Sequence, residues 1–151
     1  MFEQIVVGTD GSAGADIAVN AALDLAKLTG ATLHVVNAHK LTSAFQLGAA
    51  AEVGIVPDVT AANDATEAHS RAICEHVATR AGKAGVKIET HSVPGDPADA
   101  LIRVAGDAGA DLIVVGNRGM AGARRVLGSV PNKVSHHCPS SLLIVDTSNA
   151  T

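Results

Sequence analysis

Four glycines and a serine stand where a main chain could close around an anion. Gly116, Gly119, Gly122 and Gly128 follow the apolar run Leu112-Ile113-Val114-Val115, and Ser129 follows the last of them. Glycine lets the backbone approach a bound group with no Cβ in the way, and a helix starting at Gly128-Ser129 directs its first N–H groups at that group. Arg118, Arg124 and Arg125 add positive charge to the same stretch, and Ser129 adds a hydroxyl. The chemistry these residues fit is recognition of a phosphate. The plain alternative is a flexible strand-to-helix connection. An ordinary connection of that kind spans about 2–6 residues. This one runs to about a dozen, which favours a binding loop.

A second candidate lies near the start, at Gly8-Thr9-Asp10-Gly11-Ser12. Its single carboxylate, Asp10, could accept hydrogen bonds from ribose hydroxyls or hold a magnesium ion. It could equally form an Asx-type turn that simply ends a strand. Two familiar nucleotide motifs are absent: the chain has neither GxxxxGKS nor GxxxxGKT, and no GxGxxG follows its first apolar run. Metal chemistry finds little support. His69 and His76 are seven apart, a spacing that shares a helix face but does not converge as i, i+4 ligands do. His136, His137 and Cys138 are neighbours on a helix and point apart; a histidine at a helix C-terminus interacting with the dipole is the simpler account. Cys138 precedes a proline and reads as an ordinary buried thiol. The GxSxG elbow of serine hydrolases is missing.

The elements that must position these residues alternate regularly. Ile5-Val6-Val7 reads as a buried strand, Ser12 as the N-cap of a helix carrying Ala18, Ala21, Ala22, Leu25 and Leu28, and Gly30 as its end. Ala31 to Asn37 forms a second strand, completing a βαβ unit with a right-handed crossover. Ala38 to Val59 reads as a long mobile loop of the kind that often gates a site. A long helix follows from Thr60 to Ala84, with Ala65, Ala72, Ile73, Val77 and Ala84 as its apolar stripe. Val86 to Val93 is a third strand. Asp96-Pro97 starts a helix that buries Ala98, Leu101, Ile102 and Ala105 and ends at Gly106 to Gly109. The strand at Leu112 to Val115, a helix from Ser129 to His137 and a last strand from Ser141 to Val145 complete the order. Pro131 is tolerated because it falls in the first helical turn. Five apolar strands alternating with four helices make an open doubly wound α/β sheet with helices on both faces. Ligands of such sheets bind beyond the strand carboxyl ends where strand order reverses. If strands one and four are neighbours, Asp10 and the glycine loop meet there.

Composition narrows the partners. At 151 residues the chain is read as one domain over 1–147 with a polar tail at 148–151. Its hydrophobic share is 47% but its aromatics are Phe2 and Phe45 alone, so the core is Ala, Val, Leu and Ile, which favours close helix–sheet packing. A net charge of −4 with no basic block and no stacking platform argues against nucleic acid. No apolar run reaches the ~20 residues of a membrane span. Met1-Phe2-Glu3-Gln4 leads directly into a strand, so no signal peptide is expected. Two cysteines without a CxxC fit a reduced, cytoplasmic setting.

The residues Ile5-Val6-Val7-Gly8-Thr9-Asp10-Gly11-Ser12, Leu112 through Gly119, Gly128-Ser129-Val130 and Leu143-Ile144-Val145 together resemble the universal stress proteins over nearly the whole chain. Nucleotide-binding members of that family share Gly, two residues, Gly, nine residues, Gly and then Ser or Thr. Gly116, Gly119, Gly128 and Ser129 match it, except that eight residues separate Gly119 from Gly128. The resemblance implies a Rossmann-like fold with strand order 3-2-1-4-5. It implies ATP, or AMP or cyclic AMP, held with magnesium across strands one and four. Thr9 and Asp10 would then face the ribose and the metal, the backbone at Val35 the adenine, and Gly116, Gly119, Gly128, Ser129 and Val130 the phosphates, with Arg118 in the same loop. It further implies a homodimer paired through Leu142 to Val145, an exposed apolar edge that invites such pairing on general grounds. The implied role is a stress sensor or regulator with at most slow ATP hydrolysis, no residue being an obvious general base. Two other classes stay open. One is a dimeric interaction or protective protein that binds no nucleotide, should the shorter loop close the cradle. The other is an ATP-pyrophosphatase-type enzyme on the same fold, although Gly8 to Ser12 does not match the SGGxDS-like loop of that class.

Overall fold

The computed structural model describes residues 1–43, 58–117 and 127–148. Its elements are β1 (Gln4–Gly8), α1 (Ala13–Thr29), β2 (Thr32–His39), α2 (Val59–Ala84), β3 (Ile88–Pro94), α3 (Pro97–Ala108), β4 (Leu112–Gly116), α4 (Ser129–His137) and β5 (Ser141–Val145). All five strands are parallel, in the order β3-β2-β1-β4-β5. The sheet is doubly wound, as the alternating strands and helices suggested, and its order is the one the resemblance implied.

The continuous apolar strands are explained by two cores. Ile5 and Val7 of β1 join Leu33, Val35 and Val114 against α1 and α2. Val6 joins Val36, Ile113 and Val115 against α3 and α4 on the opposite face. A strand covered on both faces cannot alternate with polar residues. Each helix is bounded by local chemistry. Ser12 Oγ accepts from the Ala15 N–H at 3.2 Å, and Gly30 closes α1 at φ 76°. Asp58 and Asp96 cap α2 and α3 in the same way.

Several boundaries and faces differ from expectation. In α1 the buried residues are Ala18, Val19, Ala22, Leu23 and Ala26, while Leu28 is 82% exposed. An alanine-rich helix offers neighbouring phases of similar hydrophobicity, and the bulk of Val19 and Leu23 decides which one faces the sheet. In α2 the buried residues are Ser70, Cys74, Val77 and Ala81, and Ala65 and Ala72 are exposed. Its first turns are tied instead through Asn63, whose amide exchanges hydrogen bonds with the main chain of Thr42. Ala38 and His39, expected in the loop, continue β2 because they pair with Val93 and Pro94 of β3. Of that expected loop, Asp58 and Val59 instead cap and begin α2, and residues 44 to 57 lie outside the described residues. β3 starts at Ile88 rather than Val86 and ends on Pro94, which an edge strand accommodates.

Three polar clamps hold the strand ends. At the carboxyl end, Asn37 Nδ2 donates to the Thr9 carbonyl at 2.7 Å, fixing β2 to the exit of β1. Asn117 Oδ1 accepts from both the Thr147 N–H at 2.8 Å and its hydroxyl at 2.7 Å, fixing β4 to the exit of β5. At the amino end, Asp111 accepts from the N–H groups of Glu3 and Gln4, which hold its carboxyl below the usual range. Between helices, Lys133 of α4 reaches Asp96 at 3.1 Å and Asp99 at 2.8 Å at the start of α3. The Asp99 N–H and then Lys133 lower the Asp96 carboxyl, so that link holds at neutral pH and is lost as pH falls through the lowered value.

Candidate functional site

Strand order reverses at β1. The chain leaves it for β2 and β3 on one side and returns to β4 on the other, so the connections after β1 and β4 diverge and leave a crevice at their carboxyl ends. The crevice is a cleft of about 310 Å³, at the lower end of the roughly 300–1,000 Å³ typical of ligand sites. Its apolar walls come from Val36 and Ala38 of β2, Leu101 of α3, Val115 of β4 and Val130 and Pro131 of α4. Its polar rim comes from Thr9, Asp10, Asn37, Ser129 and Thr147. An apolar slot with a few converging polar groups suits a flat heterocycle attached to a polar, hydroxyl-bearing tail.

The turn after β1 is tightly organised. Thr9 is buried; its N–H donates to the Val36 carbonyl at 2.9 Å and its hydroxyl accepts from Gly11 at 3.1 Å. Asp10 is exposed on the cleft rim, and its Oδ1 accepts from the Ser12 N–H at 3.0 Å. The Asx turn and the position on the cleft therefore coexist. Among the described lining residues Asp10 is the one carboxylate.

The far wall is the start of α4. Ser129 and Val130 line the cleft, and Gly128 occupies the N-cap without a side-chain hydrogen bond. Ser12, Asp58 and Asp96 cap the other three helices with side chains. The helix that begins on the cleft thus presents its first turn to whatever enters, the arrangement that attracts anions.

Two glycines keep the floor open. A Cβ on Gly116 would fall 2.9 Å from Thr147 Cγ2, and one on Gly8 would fall 3.2 Å from Leu101 Cδ1. Both strands end where side chains from the opposing wall lean over them.

The structure brings Thr9, Asp10, Gly116, Ser129 and Val130 to one cleft, with Gly128 next to it as the N-cap. Val35 is not on it. That residue is fully buried inside the sheet on the α1 and α2 side, paired with Val7 and Thr90, and the β2 residues on the cleft are Val36, Asn37 and Ala38. Arg118, Gly119, Gly122, Arg124 and Arg125 lie outside the described residues. His69 and His76 are exposed, and the rings of His136 and His137 stand 6.4 Å apart, edge to face. Burial pushes the Cys74 thiol up, making it a core group rather than a nucleophile; Cys138 is half-buried and donates to the Ser140 carbonyl. Asn37, Asn117 and Thr147 were not singled out in the sequence. The available signal was an asparagine at or just past the end of an apolar run, which is also how many ordinary turns begin.

Comparison with known proteins follows this geometry. Residues 1–146 match the family model described as universal stress protein family. A universal stress protein of Mycobacterium tuberculosis is 34% identical over 157 residues, covering 97% of each chain. The universal stress protein YxiE of Bacillus subtilis is 32% identical, covering 96% of this chain and 99% of its own. Among solved structures, a universal stress protein in complex with cAMP is 34% identical, covers 97% of this chain and 98% of its own, and superposes with a TM-score of 0.70.

The contact at Gly116 gives a sharp test of the floor. Gly116→Ala is expected to destabilise the fold by about 1–3 kcal/mol. Thr147→Ser, which deletes Cγ2 and keeps the hydroxyl bonded to Asn117, is expected to recover most of that loss when combined with it. Urea denaturation of the four proteins of this cycle measures the coupling; equal losses in both backgrounds would show that Thr147 does not constrain the strand end.

Proposed function

The chain belongs to the universal stress protein family, and from that premise we propose that its cleft binds an adenine nucleotide and that occupancy is read out by the rest of the protein as a regulatory signal. One observation carries the reading. At the switch point, an apolar slot, two strand ends without Cβ atoms and a helix start without a side-chain cap converge on one cavity. The relative solved with cAMP supports the same ligand class here.

The residues fit the ligand in three parts. Val36, Ala38, Leu101 and Val115 offer the base an apolar slot. Thr9 and Asp10 stand where sugar hydroxyls would meet the turn after β1. The first turn of α4, with Ser129 and Val130, takes the phosphates through main-chain N–H groups and one hydroxyl; Arg118 and Gly119 in the preceding loop belong to the same proposal. Magnesium, when bound with a triphosphate, would neutralise phosphate charge, and Asp10 is the lining carboxylate that would hold it. Asp10 already accepts from the Ser12 N–H, so its carboxylate is oriented rather than free to sweep the cleft. The described lining holds no histidine and no second carboxylate. Activation of water by a general base therefore has no strong carrier, and the reading is a nucleotide sensor in the cytoplasm with at most slow hydrolysis.

The signal would pass through a homodimer. β5 is the sheet edge beyond β4, and Leu143 and Ile144 are each 36% exposed there. The Asn117–Thr147 clamp connects that edge strand directly to the cleft floor.

Isothermal titration of nucleotide-free protein with ATP, AMP and cAMP, with and without magnesium, tests the ligand. Micromolar binding of at least one is expected. If ATP binds, magnesium should tighten it and Asp10→Ala should remove that gain, a loss of roughly tenfold or about 1.4 kcal/mol; an Asp10→Ala variant with full magnesium dependence would reduce Asp10 to a turn residue. For the dimer, Ile144→Lys is expected to give a monomer in sedimentation at concentrations where the parent chain is a dimer. A monomeric parent chain would remove the proposed relay.

A further inference from the structure

A second polar cluster lies across β2 and β3, on the same face as α3. The parallel register sets His34 of β2 opposite Glu89 of β3 and Val36 opposite His91. Glu89 and His91 are two residues apart, so both project on the face that His34 occupies. His34 Nδ1 lies 3.1 Å from His91 Nε2 and 3.5 Å from Glu89 Oε2. One donor atom from each of the three falls within 4.8 Å of the other two.

We propose that His34, Glu89 and His91 form a binding site for zinc or a similar late first-row divalent cation. The two distances from His34 Nδ1 suit a ligand set. A tetrahedral zinc ion with bonds of about 2.0–2.1 Å places its ligand atoms about 3.3 Å apart, between the two separations measured here. Two imidazoles and a carboxylate select zinc, cobalt or nickel over calcium and magnesium, which prefer all-oxygen shells.

The orientation of His34 supports the assignment. Its Nε2 lies 2.8 Å from Gln4 Oε1. With the amide oxygen toward the ring, that contact requires a proton on Nε2 and leaves Nδ1 as a lone pair aimed at His91 and Glu89. A carbonyl oxygen holding the remote N–H of a histidine is the outer support that metal-binding histidines characteristically have. Burial also differs around the cluster in a useful way. His34 is 4% exposed, His91 is half-buried and the Glu89 side chain is 62% exposed. One side is fixed in the sheet, and the other admits an ion and leaves a fourth position to water. The competing arrangement is a metal-free hydrogen bond from His91 Nε2–H to His34 Nδ1, which the same 3.1 Å distance accommodates.

None of the three residues lines the cleft, although His91 pairs with Val36, which does. Gln4 is the first residue of β1 and His34 the third of β2, whereas the cleft begins at Gly8 and Val36 toward the carboxyl ends. An ion there would pin edge strand β3 to β2. Its presence would be read as stability of that edge.

The test uses the whole chain freed of metal and titrated with cobalt(II), whose visible spectrum reports tetrahedral geometry, then displaced by zinc. One ion per chain with a tetrahedral spectrum is expected, together with a zinc-dependent rise in melting temperature. His91→Gln and Glu89→Gln should each weaken binding more than about tenfold, and Gln4→Leu by roughly 10–100-fold. Glu89 is exposed, so its substitution decides the matter should His91→Gln fail to fold. A His136→Gln, His137→Gln double variant should bind as the parent chain does. Absence of binding to the folded parent, an octahedral spectrum, binding that survives Glu89→Gln, or binding lost in the double variant would overturn the assignment.

Discussion

Ile5, Val6 and Val7 are completely withdrawn from solvent, covered on both faces and paired along both edges by β2 and β4. Each buried aliphatic side chain is worth about 1.5–3 kcal/mol, and here they also fix topology. With β1 in the middle, the chain must proceed to one side, cross back and resume on the other. That reversal opens a crevice at the strand carboxyl ends. The cleft is therefore a consequence of the central place of β1 in the strand order. The residues that line it are recruited from the first positions beyond each strand.

Holding the crevice open without losing order is the second requirement. Short polar side chains meet it. Asn37 ties β2 to the exit of β1, and Asn117 ties β4 to Thr147 past β5. Lys133 draws α4 to the start of α3, so two walls of the cleft share one contact. Between these fixed points Gly8 and Gly116 leave the floor bare, because a side chain at either would meet Leu101 or Thr147. The paucity of aromatics fits this design. Helices faced with Ala18, Ala22, Ala98 and Ala105 pack on the sheet through small side chains, and no aromatic ring stands among the described lining residues of the cleft.

Much of this was legible in the sequence, for identifiable reasons. Short apolar runs such as Leu112 to Val115, bounded by turn residues, fit strands buried on both faces, and Ser12, Asp96 and Gly30 mark helix ends by hydrogen bonding and by φ. Asp10, Gly116 and Ser129 stood out because turn and helix-start chemistry after apolar strands is local, whereas Val130 entered only through the resemblance. What was not legible depends on pairing at a distance. Val35 and Val36 are adjacent and equally apolar, and only the register of β2 against β1 and the faces taken by the helices decide which one meets the cleft. The phase of α1 was hidden because alanine on every side makes the helix nearly uniform. His34 and His91 are 57 residues apart and come together only through the β2–β3 register. Ala38 and His39 read as loop until β3 supplies them with partners.

The most direct measurement of the central claim is an amide-resolved magnetic resonance titration of isotopically labelled protein with the adenine nucleotide that binds best. The account predicts that shifts concentrate at Gly8 to Gly14, Val36 to Ala38, Gly116, Asn117 and the first turn of α4, while Gln4, His34 and Glu89, toward the amino ends of their strands, stay in place. A folded protein whose amides do not move, or whose changes gather away from the β1 and β4 carboxyl ends, would contradict it.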